Sequence, residues 1–137
     1  MTAQRETRNT RDGYAAALLE LGEEDERIVV LDADLAKSTQ TEKFRQRFPD
    51  RFVDCGVAEQ NLMATAAGLA ATGRIAFAST FAIFATGRAY DQVRNTIAYS
   101  NLDVQICATH GGIMVGEDGS SHQALEDITL MRAISRK

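Results

Sequence analysis

The spacing of apolar and polar positions changes several times along the chain, and each change predicts a new element. Apolar residues recur at helical spacing over residues 11–21, and Gly22 is expected to end that helix together with the acidic run behind it. Residues 27–31 are apolar after the first position, which predicts a short strand with no solvent-exposed face. Phe44 and Phe48 then lie one helical turn apart and indicate a further helix.

Strands and helices continue to alternate through the rest of the chain. The small residues of the helix predicted over 58–71 let it lie close to a sheet, and Gly73 is expected to end it. Apolar strands joined by helices indicate a parallel sheet covered on both faces. We therefore predict an open α/β fold in one domain, residues 1–137, with residues 1–10 loosely packed. The remaining predicted elements are strands over 51–55, 75–79 and 104–108, helices over 81–99 and 123–134, and a glycine-rich loop over 111–121.

Composition narrows the class of protein. Hydrophobic residues make up 45% of the 137 residues, as in ordinary globular proteins, and the formal net charge of −4 argues against nonspecific nucleic-acid binding. No apolar run approaches the roughly 18 residues of a membrane helix, and no signal peptide opens the chain. Cys55 and Cys107 lack the spacing of metal ligands and indicate reduced thiols in a cytoplasmic protein.

Polar and aromatic side chains follow each of the four predicted strands. In open α/β sheets, ligands bind beyond the carboxyl ends of the strands, so these side chains define one candidate site. In strand order they are Asp34 and Ser38, then Glu59, then Phe81 and Phe84, then His110, Asp118 and His122.

Each of these residues also has a purely structural explanation. Glu59 near a helix start would interact favourably with the helix dipole. Phe81 and Phe84, spaced i and i+3, would serve as core residues, and His110 and His122 as hydrogen-bonding structural histidines. The Asp-Gly pair at 118–119 would form a turn, and the glycine-rich loop matches neither a Walker nor a dinucleotide fingerprint.

The order of these segments resembles the pyrimidine-binding domain of transketolases over residues 10–134. The closest similarity is to the small subunit of two-chain transketolases. The matching stretches are Ala33-Asp34-Leu35 with Ser38, Gly56-Val-Ala-Glu-Gln-Asn, Ser79-Thr-Phe-Ala-Ile-Phe, and Ala108-Thr-His-Gly-Gly-Ile-Met-Val-Gly-Glu-Asp-Gly-Ser-Ser-His-Gln.

The resemblance implies a thiamine diphosphate site. Glu59 would hold the pyrimidine ring nitrogen, and an apolar surrounding that includes Val57, Leu62 and Met63 would favour its protonated form. In addition, Phe81 and Phe84 would form an aromatic wall for the pyrimidine ring, with Gly87 where the family often has a third aromatic residue, and Asp34 would lie near the thiazolium and the subunit boundary.

The remaining candidates match family positions that face a sugar phosphate. His110 would contact substrate oxygen or phosphate, and Asp118 would hydrogen-bond a substrate hydroxyl. His122 would relay protons near the pyrimidine amino group and the reacting carbonyl, a task suited to an imidazole. Ser38 and Arg11 match positions that hold a sugar phosphate.

The Gly-Asp-Gly signature with which the family binds diphosphate and Mg²⁺ does not occur in this sequence. We therefore expect the diphosphate-binding and C-terminal domains to be absent, and Mg²⁺ to be bound by a large partner subunit. The resemblance implies a homodimer or heterotetramer, active on sugar phosphates only when that partner is present.

Three other interpretations remain at this stage. A deoxyxylulose-phosphate synthase subunit shares the Gly-x-x-Glu-Gln element, although the Ala-Thr-His and Gly-Glu-Asp-Gly runs favour transketolase. A truncated, noncatalytic module would dimerise or regulate a partner. A Rossmann-type cofactor binder is disfavoured because no dinucleotide fingerprint follows the first strand.

Overall fold

Four parallel strands form a single sheet in the order β2-β1-β3-β4. The structure is a computed structural model that describes residues 9–134, so most of the predicted loose segment 1–10 lies outside the described residues. In chain order the elements are α1 Thr10–Glu24, β1 Ile28–Asp32, α2 Ala36–Thr39, α3 Glu42–Arg47, β2 Phe52–Asp54, α4 Glu59–Ala71, β3 Ile75–Ser79, β4 Val104–Ile106 and α5 Asp127–Arg132.

Helices cover both faces of the sheet, which confirms the predicted open α/β class. Along β1 every residue is buried, and successive side chains point to opposite faces. Val29 and Leu31 pack into a core cluster that includes α4 and the segment between β3 and β4. Ile28 and Val30 pack on the other face in a cluster with Leu18 of α1 and Phe44 of α3. The edge strands are less buried than expected from their composition.

The first helix ends at Glu24, inside the acidic run that was expected to end it together with Gly22, so Gly22 itself lies within the helix. Its role is close packing: a Cβ at this position would lie 2.7 Å from ring carbons of both Phe44 and Phe48. The helix end is satisfied by Arg51, whose guanidinium donates hydrogen bonds to the carbonyl oxygens of Gly22 and Asp25 at 2.7 and 3.1 Å.

Two predicted helices differ in the structure. The segment predicted as a helix over 81–99 contains two π-helical stretches, Phe84–Arg88 and Gln92–Ala98. The helix predicted over 123–134 begins only at Asp127, because Ala124 exchanges two backbone hydrogen bonds with Gly112 at 3.0 and 3.1 Å. Within residues 9–134, no helix is both long and apolar enough to cross a membrane.

Candidate functional site

The carboxyl ends of the strands meet at one edge of the sheet, as their register requires. Asp32, the last residue of β1, pairs with Asp54 of β2 on one side and with Ser79 of β3 on the other. Segments that leave these strands therefore start close together. Asp54 was not among the predicted site residues, although its position at a strand end matches that of Asp32. Its carboxylate accepts hydrogen bonds from the backbone N–H groups of Asp34 and Gly56 at 3.1 and 3.0 Å.

A fully buried carboxylate shapes the turn after β1. The side chain of Asp32 accepts hydrogen bonds from the hydroxyls of Thr39 and Thr41 at 2.7 and 2.9 Å, and from the backbone N–H of Leu35 at 2.6 Å. Burial raises the pKa of Asp32, and these hydrogen bonds oppose that rise. The turn places Asp34 in the left-handed region, at φ 61°.

Glu59 is the first residue of α4, and its side chain is only 2% exposed. Its surroundings differ from the predicted apolar enclosure. Leu62 and Met63 are buried, but Val57 is 73% exposed. A cation also contacts the carboxylate, since Nη1 of Arg88 donates to Oε1 and Oε2 at 3.0 and 2.9 Å. The predicted apolar enclosure is therefore incomplete, because Val57 is exposed and a guanidinium contacts the carboxylate.

Arg88 was not recognised in the sequence, although it follows Gly87, where the family often has a third aromatic residue. Its Cζ lies 4.3 Å from the centroid of the Phe84 ring. A Cβ built at Gly87 would have no atom within 4 Å outside its two chain neighbours, so the third aromatic position is open. The one sequence signal for Arg88 was its position directly after Gly87, where the family often has an aromatic residue.

The predicted aromatic wall is present as two nearly parallel rings. Phe81 and Phe84 have ring centroids 6.1 Å apart and planes inclined by 8°. His122 approaches Phe84 edge-on, with centroids 5.2 Å apart, and His110 lies against Phe81 at 4.0 Å. Phe81 is buried, whereas Phe84 is partly exposed and faces a cleft.

Three of the predicted site residues line one cleft of about 390 Å³, and these are Glu59, Phe84 and His122. Nδ1 of His122 forms a hydrogen bond with the Ser121 hydroxyl at 3.0 Å. This contact leaves Nε2 as the ring nitrogen for a ligand. Arg88 lies at the same cleft. The remaining lining residues are Ala33, Leu35, Val57 and Ser121.

A second cavity of about 610 Å³ contains Arg11 and His110. His110 has a positive φ of 56°, and its Nδ1 lies 2.8 Å from the Thr109 hydroxyl. Burial lowers the pKa of His110, the charge of Arg11 lowers it further, and the charge of Asp118 acts in the opposite direction. A non-glycine residue with a positive φ, such as His110 after β4, is typical of functional sites.

The other predicted residues lie around these two cavities. Nη1 of Arg11 donates to the backbone oxygen of Ser38 at 2.8 Å, so this side chain joins α1 to α2. Ser38 and Asp34 line a third cleft of about 370 Å³. Asp118 is exposed in the loop after β4 and lines none of the three.

Tyr14 and Cys107 line the second cavity, whereas Cys55 lines neither it nor the Glu59 cleft. The hydroxyl of Tyr14 lies 2.7 Å from that of Ser79, and burial raises the pKa of Tyr14 and of Cys107. Cys55 and Cys107 are free cysteines. In the part of the chain that the structure describes, no group of three or more His, Cys, Asp or Glu side chains is arranged to hold a metal ion.

Comparison with known proteins identifies the family. The family described as transketolase, pyrimidine binding domain, matches residues 6–136. The chain belongs to the transketolase pyrimidine-binding domain family. This finding confirms the resemblance, and the deoxyxylulose-phosphate synthase alternative is not favoured.

Similar proteins include a transketolase C-terminal section, a split gene transketolase and other transketolases. A protein of Methanocaldococcus jannaschii described as a transketolase C-terminal section is 60% identical over 90% of this chain and 39% of its own length. A solved split gene transketolase, described as an inactive beta4 tetramer, is 57% identical with a TM-score of 0.78, covering 91% of this chain and 40% of that one.

The solved transketolase of Campylobacter jejuni is 30% identical with a TM-score of 0.83, covering 91% of this chain and 20% of that one. This pyrimidine-binding domain thus spans about two fifths of the length of the first relatives it matches.

Proposed function

We propose that this chain is the pyrimidine-binding half of a thiamine-diphosphate-dependent transketolase, which transfers a two-carbon ketol unit between sugar phosphates. One observation carries the proposal. A carboxylate that is 2% exposed reaches a cleft whose walls include the ring of Phe84 and the imidazole of His122. The cation paired with this carboxylate, Arg88, is half-exposed, and a carboxylate that faces an aromatic cleft is suited to hold a flat, nitrogen-containing ring.

The residues present fit the aminopyrimidine part of this cofactor. Glu59 would share a proton with the ring nitrogen, and the ring of Phe84, backed by Phe81, would stack against the heterocycle and exclude water. Asp34, on the turn after β1, would lie toward the thiazolium. When bound, thiamine diphosphate supplies the electron sink for cleaving a carbon–carbon bond next to a carbonyl.

The second cavity supports a sugar phosphate site. Arg11 supplies a fixed positive charge, and His110 beside it would contact substrate oxygen or phosphate through Nε2. Ser38, which lines the third cleft and accepts a hydrogen bond from Arg11 at its backbone oxygen, would bind a sugar phosphate from that side. Asp118 would accept a hydrogen bond from a substrate hydroxyl. His122, on the Glu59 cleft, would move a proton between the pyrimidine amino group and the reacting carbonyl.

We further propose that a diphosphate-binding large subunit completes the enzyme and binds Mg²⁺. The similarity to a C-terminal section and to a split gene protein described as an inactive tetramer supports a chain that needs a partner. A homodimer of this chain or a heterotetramer with the large subunit would fit such an arrangement. The free thiols Cys55 and Cys107 support a cytoplasmic location.

The experiment is reconstitution. The chain is purified, mixed with a candidate large subunit that carries Gly-Asp-Gly, and assayed for assembly and for ketol transfer with thiamine diphosphate and Mg²⁺. We expect no turnover from the chain alone and turnover on mixing. Robust turnover by the lone chain would refute the need for a partner. Assembly without ketol transfer would favour a noncatalytic module that regulates its partner.

A further inference from the structure

The contacts of Arg88 match those that the proposed ligand of the cleft requires. Its guanidinium is a flat cation whose Nη1 donates to both oxygens of Glu59, at 3.0 and 2.9 Å. The same group lies over the ring of Phe84, with Cζ 4.3 Å from the centroid. A single side chain thus stacks on the aromatic wall and pairs with the buried carboxylate.

An aminopyrimidine bound here would make the same two contacts. It is flat, it would stack on Phe84, and it would share a proton with Glu59. The guanidinium of Arg88 and an aminopyrimidine cannot both occupy the Glu59 carboxylate and the same face of the Phe84 ring. Resting on the proposed function, we infer that Arg88 occupies the pyrimidine site of the free chain and must release Glu59 before the heterocycle binds.

The structure allows this release. The side chain of Arg88 is 50% exposed, so its guanidinium can turn into water, whereas Glu59 is only 2% exposed. The backbone of Arg88 is held separately, because its carbonyl oxygen accepts a hydrogen bond from Gln60 Nε2 at 3.2 Å. Release therefore needs a change of side-chain rotamer only, at the end of the π-helical stretch Phe84–Arg88. Such stretches are frequent at functional sites.

The arrangement also explains how a buried carboxylate persists without a ligand. An unpaired charge at the position of Glu59 would be costly, and the guanidinium of Arg88 compensates it. Each ligand must then displace this internal partner. The apparent affinity is reduced by the fraction of molecules in which the site is open.

The test measures binding to the full chain, alone and mixed with its large subunit. The probe is the neutral hydroxymethyl aminopyrimidine fragment of thiamine, because a cationic ligand would gain affinity from any loss of positive charge. Binding is followed by amide NMR shifts, and the Arg88 guanidinium is followed by its own side-chain NMR signals. Arg88→Met removes both contacts, and Arg88→Lys keeps the charge but loses the flat stacking surface.

Arg94→Met is the matched control. Arg94 is 52% exposed and is also paired with a carboxylate, Asp91, at 3.2 Å, but it lies in the second π-helical stretch and lines none of the three clefts described above. The inference predicts about tenfold tighter binding of the fragment by Arg88→Met, a smaller gain by Arg88→Lys and no change by Arg94→Met. In the unmodified chain, the Arg88 side-chain signals should shift as the fragment binds.

Equal or weaker binding by Arg88→Met, with measurable binding by the unmodified chain, would overturn the inference and leave the proposed function standing. If no variant binds the fragment, even in the assembled complex, the proposed function fails and the inference with it. The Arg88 signals of the unmodified chain give a readout that does not depend on the stability of Arg88→Met. If these signals stay unchanged while the fragment binds, the inference is overturned whatever the variant shows.

Discussion

The imidazole of His110 lies against the ring of Phe81, with their centroids 4.0 Å apart and their planes inclined by 32°. This contact removes one face of the imidazole from water. Burial is the largest cause of the lowered pKa of His110, and the positive charge of Arg11 is the next. The lowered pKa favours the uncharged ring at neutral pH, in which one ring nitrogen donates a hydrogen bond and the other accepts one.

Removal of either of two charges near His110 should shift the pKa of its imidazole, in opposite directions for the two charges. Arg11→Gln should raise the pKa of His110 because it removes a nearby cation, and Asp118→Asn should lower it because it removes a nearby anion. The measurement is an NMR titration of the His110 ring protons in each variant. Shifts of the same sign in both variants would contradict the electrostatic account.

Glu59→Gln should abolish ketol transfer by the reconstituted complex, with a loss of about 10²–10⁴ in rate, because an amide cannot exchange the proton that the carboxyl group handles. The fold should be retained, since glutamine has the same shape and the half-exposed Arg88 can be solvated. Steady-state rates and circular dichroism provide the two readouts.

The control is Glu20→Gln, the same substitution at an exposed position of α1. It should leave the rate unchanged. Normal turnover by Glu59→Gln would show that the carboxyl group has another role.

Gly22→Ala should lower the free energy of unfolding by about 1–3 kcal/mol, because the new Cβ would meet ring carbons of Phe44 and Phe48 at 2.7 Å. Gly13→Ala is the matched control in the same helix. It has no atom within 4 Å of a Cβ and should stabilise the protein by about 0.5–1 kcal/mol. Urea unfolding of both variants checks the prediction, and stabilisation by both would disprove the close approach.

The buried carboxyl group of Asp32 should make stability fall as pH rises. Its folded pKa is raised above the ordinary 3.8, so the folded state binds the proton more tightly than the unfolded state does. The resulting stabilisation is complete below pH 3.8 and is lost as pH rises through the folded pKa. Asp32→Asn should remove this dependence, measured as the difference between the two unfolding profiles across that window.

Thr39→Val removes a hydrogen-bond donor to Asp32, which should raise the folded pKa further and extend the same window upward. If the free energy of unfolding of the original chain, minus that of Asp32→Asn, rises with pH, the pH dependence cannot be assigned to Asp32.

Much of the fold could be predicted because its signals are local. The apolar run of β1 predicted a strand with no exposed face, and the structure buries all five of its residues. Gly73 ends the small-residue helix as expected, at φ 90°. Gly22 was misinterpreted for the opposite reason: its role depends on Phe44 and Phe48, and no local pattern indicates which rings pack against a glycine.

Several residues of the candidate site could be selected from the sequence, but the contacts between their side chains could not. The family motifs selected Glu59, Phe84 and His122, and the structure brings these three to one cleft. Arg88 escaped notice because its partner Glu59 is 29 positions away, and a lone arginine in a helical segment carries no signal of its own. The π-helical register that holds Arg88 likewise depends on packing against the rest of the fold.

Taken by itself, the order of apolar and polar residues determined the alternation of strands and helices, and with it the single edge where the strand-end side chains gather. That information is contained in the sequence because burial depends on the period of the side chains along each element. The tertiary structure alone decided that a guanidinium, and not an apolar wall, faces the carboxylate of Glu59. Such a pairing depends on where distant segments place their side chains in space, and the packing of the whole sheet sets that position.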